Sequence, residues 1–212
     1  ELEARQGFKA GRAQARDLRE QVTAELLPRA FVKRSLVYAW IDPVNRWLVV
    51  DAASPAKADE VLEHLKLTLE DLPLKLLRTS TAPATAMTAW VAGQNAPARF
   101  CIDRDCELRA AGLEKAVVRY VRHALDGKEI AEHIAAGKTV TRLGMTWHDR
   151  VSFVLTEQLQ LKRLAFLDVL KEAAEQQAEG GDDFFEANFA LMSGELAALL
   201  ADLAEALDGE AE

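Results

Sequence analysis

An α+β fold is predicted by three features of the sequence. Apolar residues recur at helical spacing near both ends: Leu18, Val22 and Leu26 early, then Phe185, Phe189, Met192, Leu196, Leu199, Leu203 and Leu207 late. Between them, segments rich in Val, Leu, Ile, Trp and Tyr flank turn chemistry at Asp42-Pro43-Val44-Asn45. Three short alternating segments then follow one another across 138–166, the pattern of an antiparallel meander. The expected order is a helical arm over 1–30, a small αβ unit with a β-hairpin over 31–93, and an antiparallel sheet packed with helices over 94–212, ending in a long acidic C-terminal helix.

The arm ends at Pro28, and Gly7 and Gly11 weaken its first turns. Arg5, Lys9, Arg12, Arg16 and Arg19 alternate spacings of four and three, which at 100° per residue confines them to a sector about 80° wide beside the apolar stripe. Such a row suits a phosphate backbone, and equally the solvated face of a projecting helix. Residues 31–41 and 46–52 form the hairpin around the Asp42–Asn45 turn. Ser54 as N-cap and Pro55 at the first helical position start a helix that buries Ala58, Val61, Leu62, Leu65 and Leu69 and closes at Pro73. A short strand near 74–77 and a helix near 84–92 complete this unit, and Gly93-Gln94-Asn95-Ala96-Pro97 marks its boundary.

Beyond the boundary, short strands are expected at 99–102, 106–110 and 115–123, then a helix over 128–136. In the strand 138–147, alternation sets Leu143, Met145 and Trp147 on one face and Lys138, Val140 and Arg142 on the other. Val151, Phe153 and Leu155 fill one face of the next strand, and 161–166 pairs back as the third. No repeat and no low-complexity tract interrupts this order.

Half of the 212 residues are apolar and 28% are charged, a globular balance. No apolar run is read as approaching the ~20 residues that span a bilayer, so no membrane partner is expected. With no signal peptide and no initial methionine, the chain reads as a cytoplasmic protein and as part of a longer one. The net charge of −8 is unevenly spread: from Asp168 to Glu212 thirteen acids face one lysine, a balance of −12, whereas the remainder sets 25 cations against 21 anions, or +4. Arg5–Arg34 and Arg109–Arg142 are the most cationic stretches. A mildly basic body with an acidic tail keeps a nucleic-acid partner open despite the overall sign.

Candidate catalytic groups do not assemble into a constellation. Ala136-Gly137-Lys138-Thr139 mimics the end of a phosphate-binding loop, but Glu132 stands where the motif needs glycine, and a helix precedes the loop where a strand should. His64, His123, His133 and His148 are scattered, without metal-ligand spacing. Asp42, Asp51 and Asp149 fall at strand ends, where aspartate forms turns, and Cys101 and Cys106 lack an activating neighbour. No catalytic residue, metal or cofactor is therefore expected. Tyr120, between Arg119 and Arg122, and Trp47, after Arg46, are more economically core residues than base-stacking platforms.

Several ordered strings nevertheless match a known family. Leu26-Leu27-Pro28-Arg29-Ala30-Phe31, Trp40-Ile41-Asp42 with Asn45 and Val50-Asp51, His133-Ile134 with Gly137-Lys138, Val140-Thr141, Leu143, Trp147, Arg150 and Phe153-Val154 are among them. Leu161-Lys162-Arg163-Leu164 and Phe189-x-Leu191-Met192-Ser193-Gly194-Glu195-Leu196 continue the series. Together they resemble the recombination-associated RdgC family end to end, over the later two thirds of that family's chain.

The resemblance implies a bacterial, nucleoid-associated, ring-shaped homodimer that passes double-stranded DNA through a basic hole, with single-stranded DNA as a further partner, and restrains a RecA-type recombinase without reading sequence. It implies that Arg122 and Lys138 line the hole and that Phe31 helps to close the ring. Arg142 joins them from alternation, and Arg119 is the competing choice to Arg122 on a regular strand. Phe31, at the junction of arm and hairpin, could instead staple the two together. A second reading makes the chain a protein-interaction module acting through its acidic C-terminal helix. An unrecognised hydrolase, which would need a carboxylate cluster in a cleft, is the third.

Overall fold

The computed structural model describes residue 7 and residues 11–32, 34–112, 116–168 and 181–211. It is α+β, with five α-helices and two antiparallel sheets among the described residues. The chain divides into two compact units, residues 1–39 with 50–61 and residues 40–49 with 62–212.

In the first unit, α1 (Arg12–Leu26) starts after Gly11 and runs into a 3₁₀ turn, Leu27–Arg29, carrying Pro28. Pro28 lacks the N–H that would continue the helix. The expected stripe of Leu18, Val22 and Leu26 forms, but no residue of α1 is buried. Amphipathic spacing made the helix recognisable without supplying a surface to cover it.

The hairpin joins β1 (Tyr38–Asp42) to β2 (Trp47–Asp51) in a two-stranded sheet. Its turn is set by Asp42, whose carboxylate accepts the backbone N–H groups of Val44 and Asn45 at 3.0 Å and the Asn45 side-chain amide at 2.7 Å. Those bonds from Asn45 hold the Asp42 carboxyl below its ordinary range. The first strand begins at Tyr38, later than the predicted 31, and the described residues between 30 and 37 are in no regular element. Helix α2 (Pro55–Thr68) follows, its first-turn amides of Lys57 and Ala58 bonding the Ser54 carbonyl. Ala58, Val61, Leu62 and Leu65 are half-buried, whereas Leu69 is exposed.

The strand expected over 74–77 does not form. Arg78 to Thr81 instead pairs with the C-terminus through Ala211 N–H to the Arg78 carbonyl, Ser80 N–H to Gly209 and Thr81 N–H to Leu207. The backbone groups of this segment are satisfied by distant chain rather than by a sheet.

The second unit is built on a five-stranded antiparallel sheet ordered β4-β3-β5-β6-β7. Its strands are β3 (Phe100–Ala110), β4 (Val117–Tyr120), β5 (Lys138–Trp147), β6 (Val151–Thr156) and β7 (Leu161–Phe166). The segments expected as two strands at 99–102 and 106–110 are one continuous strand, bulged between Ile102 and Cys106. Polar Asp103, Arg104 and Asp105 broke the apolar pattern there, but they occupy the bulge rather than a turn. One face of the sheet carries the core. Helix α3 (Pro83–Gly93) contributes Met87 and Val91, α4 (Lys128–Ala135) Ile130, and α5 (Gly181–Ala206) Leu199 and Leu203, all packed with Leu108, Val140, Leu143, Met145, Val151 and Leu155. Helix α3, which the sequence reading placed in the 31–93 unit, thus packs on the sheet. The Thr88 hydroxyl ties it there by accepting the Val140 N–H at 2.9 Å.

Helix α5 also revises the membrane reading. Phe185–Ala206 has a mean hydropathy of 1.3 and is long and apolar enough to cross a bilayer by length and composition. In the fold, its C-terminal half packs Leu199 and Leu203 against the sheet, while Phe185 and Phe189 remain exposed.

Candidate functional site

The sheet face opposite the helices holds no member of the core cluster and gathers most of its charged side chains. Pairing places Arg119 of β4 beside Glu107 of β3, and Glu107 beside Arg142 of β5. The register then shifts: Leu108 pairs with Val140, so Thr141 is an extra residue on β5. Strict alternation had placed Lys138, Val140 and Arg142 on one face. The bulge at Thr141 splits that set, leaving Lys138 and fully buried Val140 on the helical face and Arg142 exposed on the other. A single extra residue inverts all that follows.

Glu107 organises this open face. Its side chain is only 5% exposed. Arg119 donates to Oε2 through Nη2 at 2.6 Å and Nε at 3.2 Å, Arg109 Nη2 lies 3.3 Å from Oε1, and the Thr141 hydroxyl is 3.1 Å from Oε1. Burial raises the Glu107 pKa, but the bonds from Arg119 and Thr141 and the charges of Arg142 and Arg119 outweigh it and hold the carboxyl below its usual range. Arg109 also reaches Glu157 at 3.2 Å. At the β3 bulge, burial raises Asp103 despite two 3.0 Å bonds from the Thr146 hydroxyl, with the charge of Asp105 adding to the rise. Asp105 accepts the Arg122 backbone N–H at 2.9 Å and pairs with Arg163 at 3.2 Å. Gly144 lies beneath this bulge, where an added Cβ would stand 3.3 Å from the Asp105 carbonyl.

The other expected site residues are placed as follows. Arg119 is committed to Glu107, whereas Arg122 lies beyond the end of β4 with a left-handed φ of 53° and an exposed side chain. The regular strand assumed through 123 stops at Tyr120, so the two arginines do not alternate on one strand. Lys138 Nζ lies 3.2 Å from His133 Nδ1 on α4. On α1, Arg12 and Arg19 are exposed and Arg16 pairs with Glu20 at 3.0 Å. Arg5 and Lys9 lie outside the described residues. Phe31 is fully exposed, at 104% of its reference area, and so does not act as a staple. Tyr120 is half-buried near the rings of His123 and His133, and Trp47 is half-buried.

Where β5 meets the β6–β7 turn, a polar pocket of about 110 Å³ is lined by Arg109, Thr141, Arg142, Thr156, Glu157, Gln158 and Gln160. Sequence reading missed it because Arg109, Glu157 and the two glutamines carry no motif. Among the described residues, no group of three His, Cys, Asp or Glu side chains is arranged to hold a metal. Burial, then the charge of Glu107, pushes the Cys106 thiol up to about 12.

On α5, several acids are engaged within the chain. Glu195 pairs with Arg150 at 2.7 Å, while Asp202 bonds Arg99 and accepts the Trp147 indole N–H at 2.8 Å.

A family model described as "Putative exonuclease, RdgC" matches residues 1–210. The chain is 58% identical over 212 residues to "Recombination-associated protein RdgC" of Dechloromonas aromatica (strain RCB), covering 99% of this chain and 70% of that protein. Proteins of the same name from Janthinobacterium sp. (strain Marseille), 52% identical over all of this chain and 71% of theirs, and Herminiimonas arsenicoxydans, 53% identical over 99% and 70%, match along the same length. The chain belongs to the RdgC family of recombination-associated proteins.

Proposed function

We propose that this protein binds DNA without reading its sequence, acting as a ring-shaped homodimer around a duplex and restraining a RecA-type recombinase. The observation that carries the reading is a set of exposed cations, Arg12, Arg19, Arg122 and Arg142, with no ion pair among the described residues. They sit on a helix, a post-strand bend and a strand, not on one recognition helix. Cations distributed in this way neutralise phosphates and release counterions, which gives affinity without base readout. The relatives' name, recombination-associated protein, supports a role for such binding in recombination.

Two unrelated duplexes should compete within about a hundredfold of each other; a larger preference, worth ~2.7 kcal/mol or one or two base-reading contacts, overturns the reading. Arg19→Glu, Arg122→Glu and Arg142→Glu should each weaken binding on every duplex and lower the salt slope by about one unit. Unchanged slopes in all three, with normal folding, would mark these charges as solvated only.

The family description favours a second reading, an exonuclease. Asp103 and Asp105, brought together at the β3 bulge, are the carboxylates it would use. Loss of linear duplex in the presence of Mg²⁺ or Mn²⁺, abolished by Asp103→Asn, would establish it. The protein-interaction reading through the acidic C-terminal helix draws less support, because Glu195 and Asp202 are already paired within the fold.

A further inference from the structure

We propose that the pocket between β5 and the β6–β7 turn is a phosphate seat, with Arg142 as its principal cation. The proposal rests on the DNA-binding reading and names where one backbone phosphate is held on this unit.

The pocket's chemistry selects an oxyanion. Arg109 and Arg142 oppose one acid, Glu157, across the lining, and beneath it the charge of Glu107 is matched by Arg119. One positive charge is left over, and it belongs to Arg142, whose guanidinium has no hydrogen bond or ion pair among the described residues. Its five N–H donors suit bidentate contact with a phosphate. Glu157 does not bar entry, because Arg109 holds it at 3.2 Å. Donors converge from the other walls. The Thr156 hydroxyl accepts the Gln160 backbone N–H at 3.1 Å and keeps its own proton to give, and Gln158 and Gln160, each with two side-chain N–H donors, complete the lining.

The seat is also rigid. Glu157 N–H bonds the Thr141 carbonyl at 2.9 Å, Leu159 N–H the Thr156 carbonyl at 2.9 Å, and Thr156 N–H the Gln160 carbonyl at 3.1 Å. The backbone that frames the pocket is therefore already fixed, and the ordering that remains on binding is that of the side chains. The Thr141 bulge turns Arg142 into the pocket's wall, which gives that irregularity a use.

The phosphate could belong to a nucleic-acid backbone or be free, and the test separates the two. Backbone and Gln side-chain amide signals would be followed by NMR during titration with a short random duplex and, separately, with potassium phosphate against potassium chloride at equal ionic strength. The duplex should give saturable shifts at 141–142 and 156–160, weakened at least tenfold by Arg142→Gln, while Gln158→Ala, at an exposed position, weakens them with the fold unchanged. If the duplex binds and these signals stay still, the seat is overturned and the DNA reading survives. If phosphate alone shifts them and the duplex does not bind, the seat stands for a free anion and the DNA reading falls. If neither ligand moves them and the duplex does not bind, both fall.

Discussion

At the scale of single residues, Glu107 decides how much of the open face's positive charge is available. Its carboxylate bonds Arg119 and Arg109, whereas the Arg142 guanidinium acts on it through charge alone and makes no hydrogen bond among the described residues. Glu107→Gln should lower stability at neutral pH by about 1–3 kcal/mol, since the buried partner of two guanidinium groups loses its charge. The pKa of Glu107 is depressed on folding, so the stabilisation is present above the unfolded value near ~4.3 and is lost as pH falls through the lower folded value. Chemical denaturation of both proteins should therefore show the gap closing in acid, and a gap that is constant from neutral pH to about pH 3 would refute a charge-based role. Arg119, Arg122 and Arg142 were visible in the sequence as cations, but their surroundings were not. Thr141 is β-branched and polar inside a strand pattern, so nothing in the string marks it as the extra residue that reverses Lys138 relative to Arg142. An acid paired across strands carries no local signature either.

At the scale of elements, α5 shows what periodicity can and cannot tell. The recurrence of Phe185, Phe189, Met192, Leu196, Leu199 and Leu203 identified the helix and its apolar side. Coverage depends on which partner lies opposite, which a one-dimensional pattern does not contain. Leu203 is 2% exposed, whereas Phe189 is 48% exposed. Leu203→Ala should cost ~2–5 kcal/mol and Phe189→Ala less than about 0.5 kcal/mol. Thermal melts of the two variants would check this, and equal losses would mean that the helix packs along its whole length. The same limit explains the misread segment at 74–77, where apolar residues separated by Lys75 resemble a strand but have no strand beside them. Turn chemistry was read more reliably, because the bonds of Asp42 to residues 44 and 45 are local and need no partner from elsewhere.

At the scale of the whole molecule, the proposed ring assembly would use Phe31, whose ring is fully exposed on this chain. Phe31→Ala should leave the melting temperature unchanged while weakening self-association and reducing affinity for closed circular DNA. Sedimentation across a concentration series, with melts alongside, tests this; a destabilised variant with unchanged association would return Phe31 to an internal role. The strand order has a consequence of another kind, in the timing of synthesis. Strand β3 pairs with β4 on one edge, a nearby partner, but its other edge waits for β5, with Phe100 opposite Trp147 and Ala110 opposite Lys138. At ~5–20 residues per second, a ribosome leaves that edge bare for roughly a few seconds, with Leu108 and Cys106 uncovered beside it. Stalled chains that end ahead of Lys138 should be cut by protease within β3 faster than chains that extend through β7, and equal cutting would show that β3 is protected before its partner exists. The newborn protein thus passes through an interval in which β3 needs shelter, set by the distance along the chain between two neighbours in the sheet.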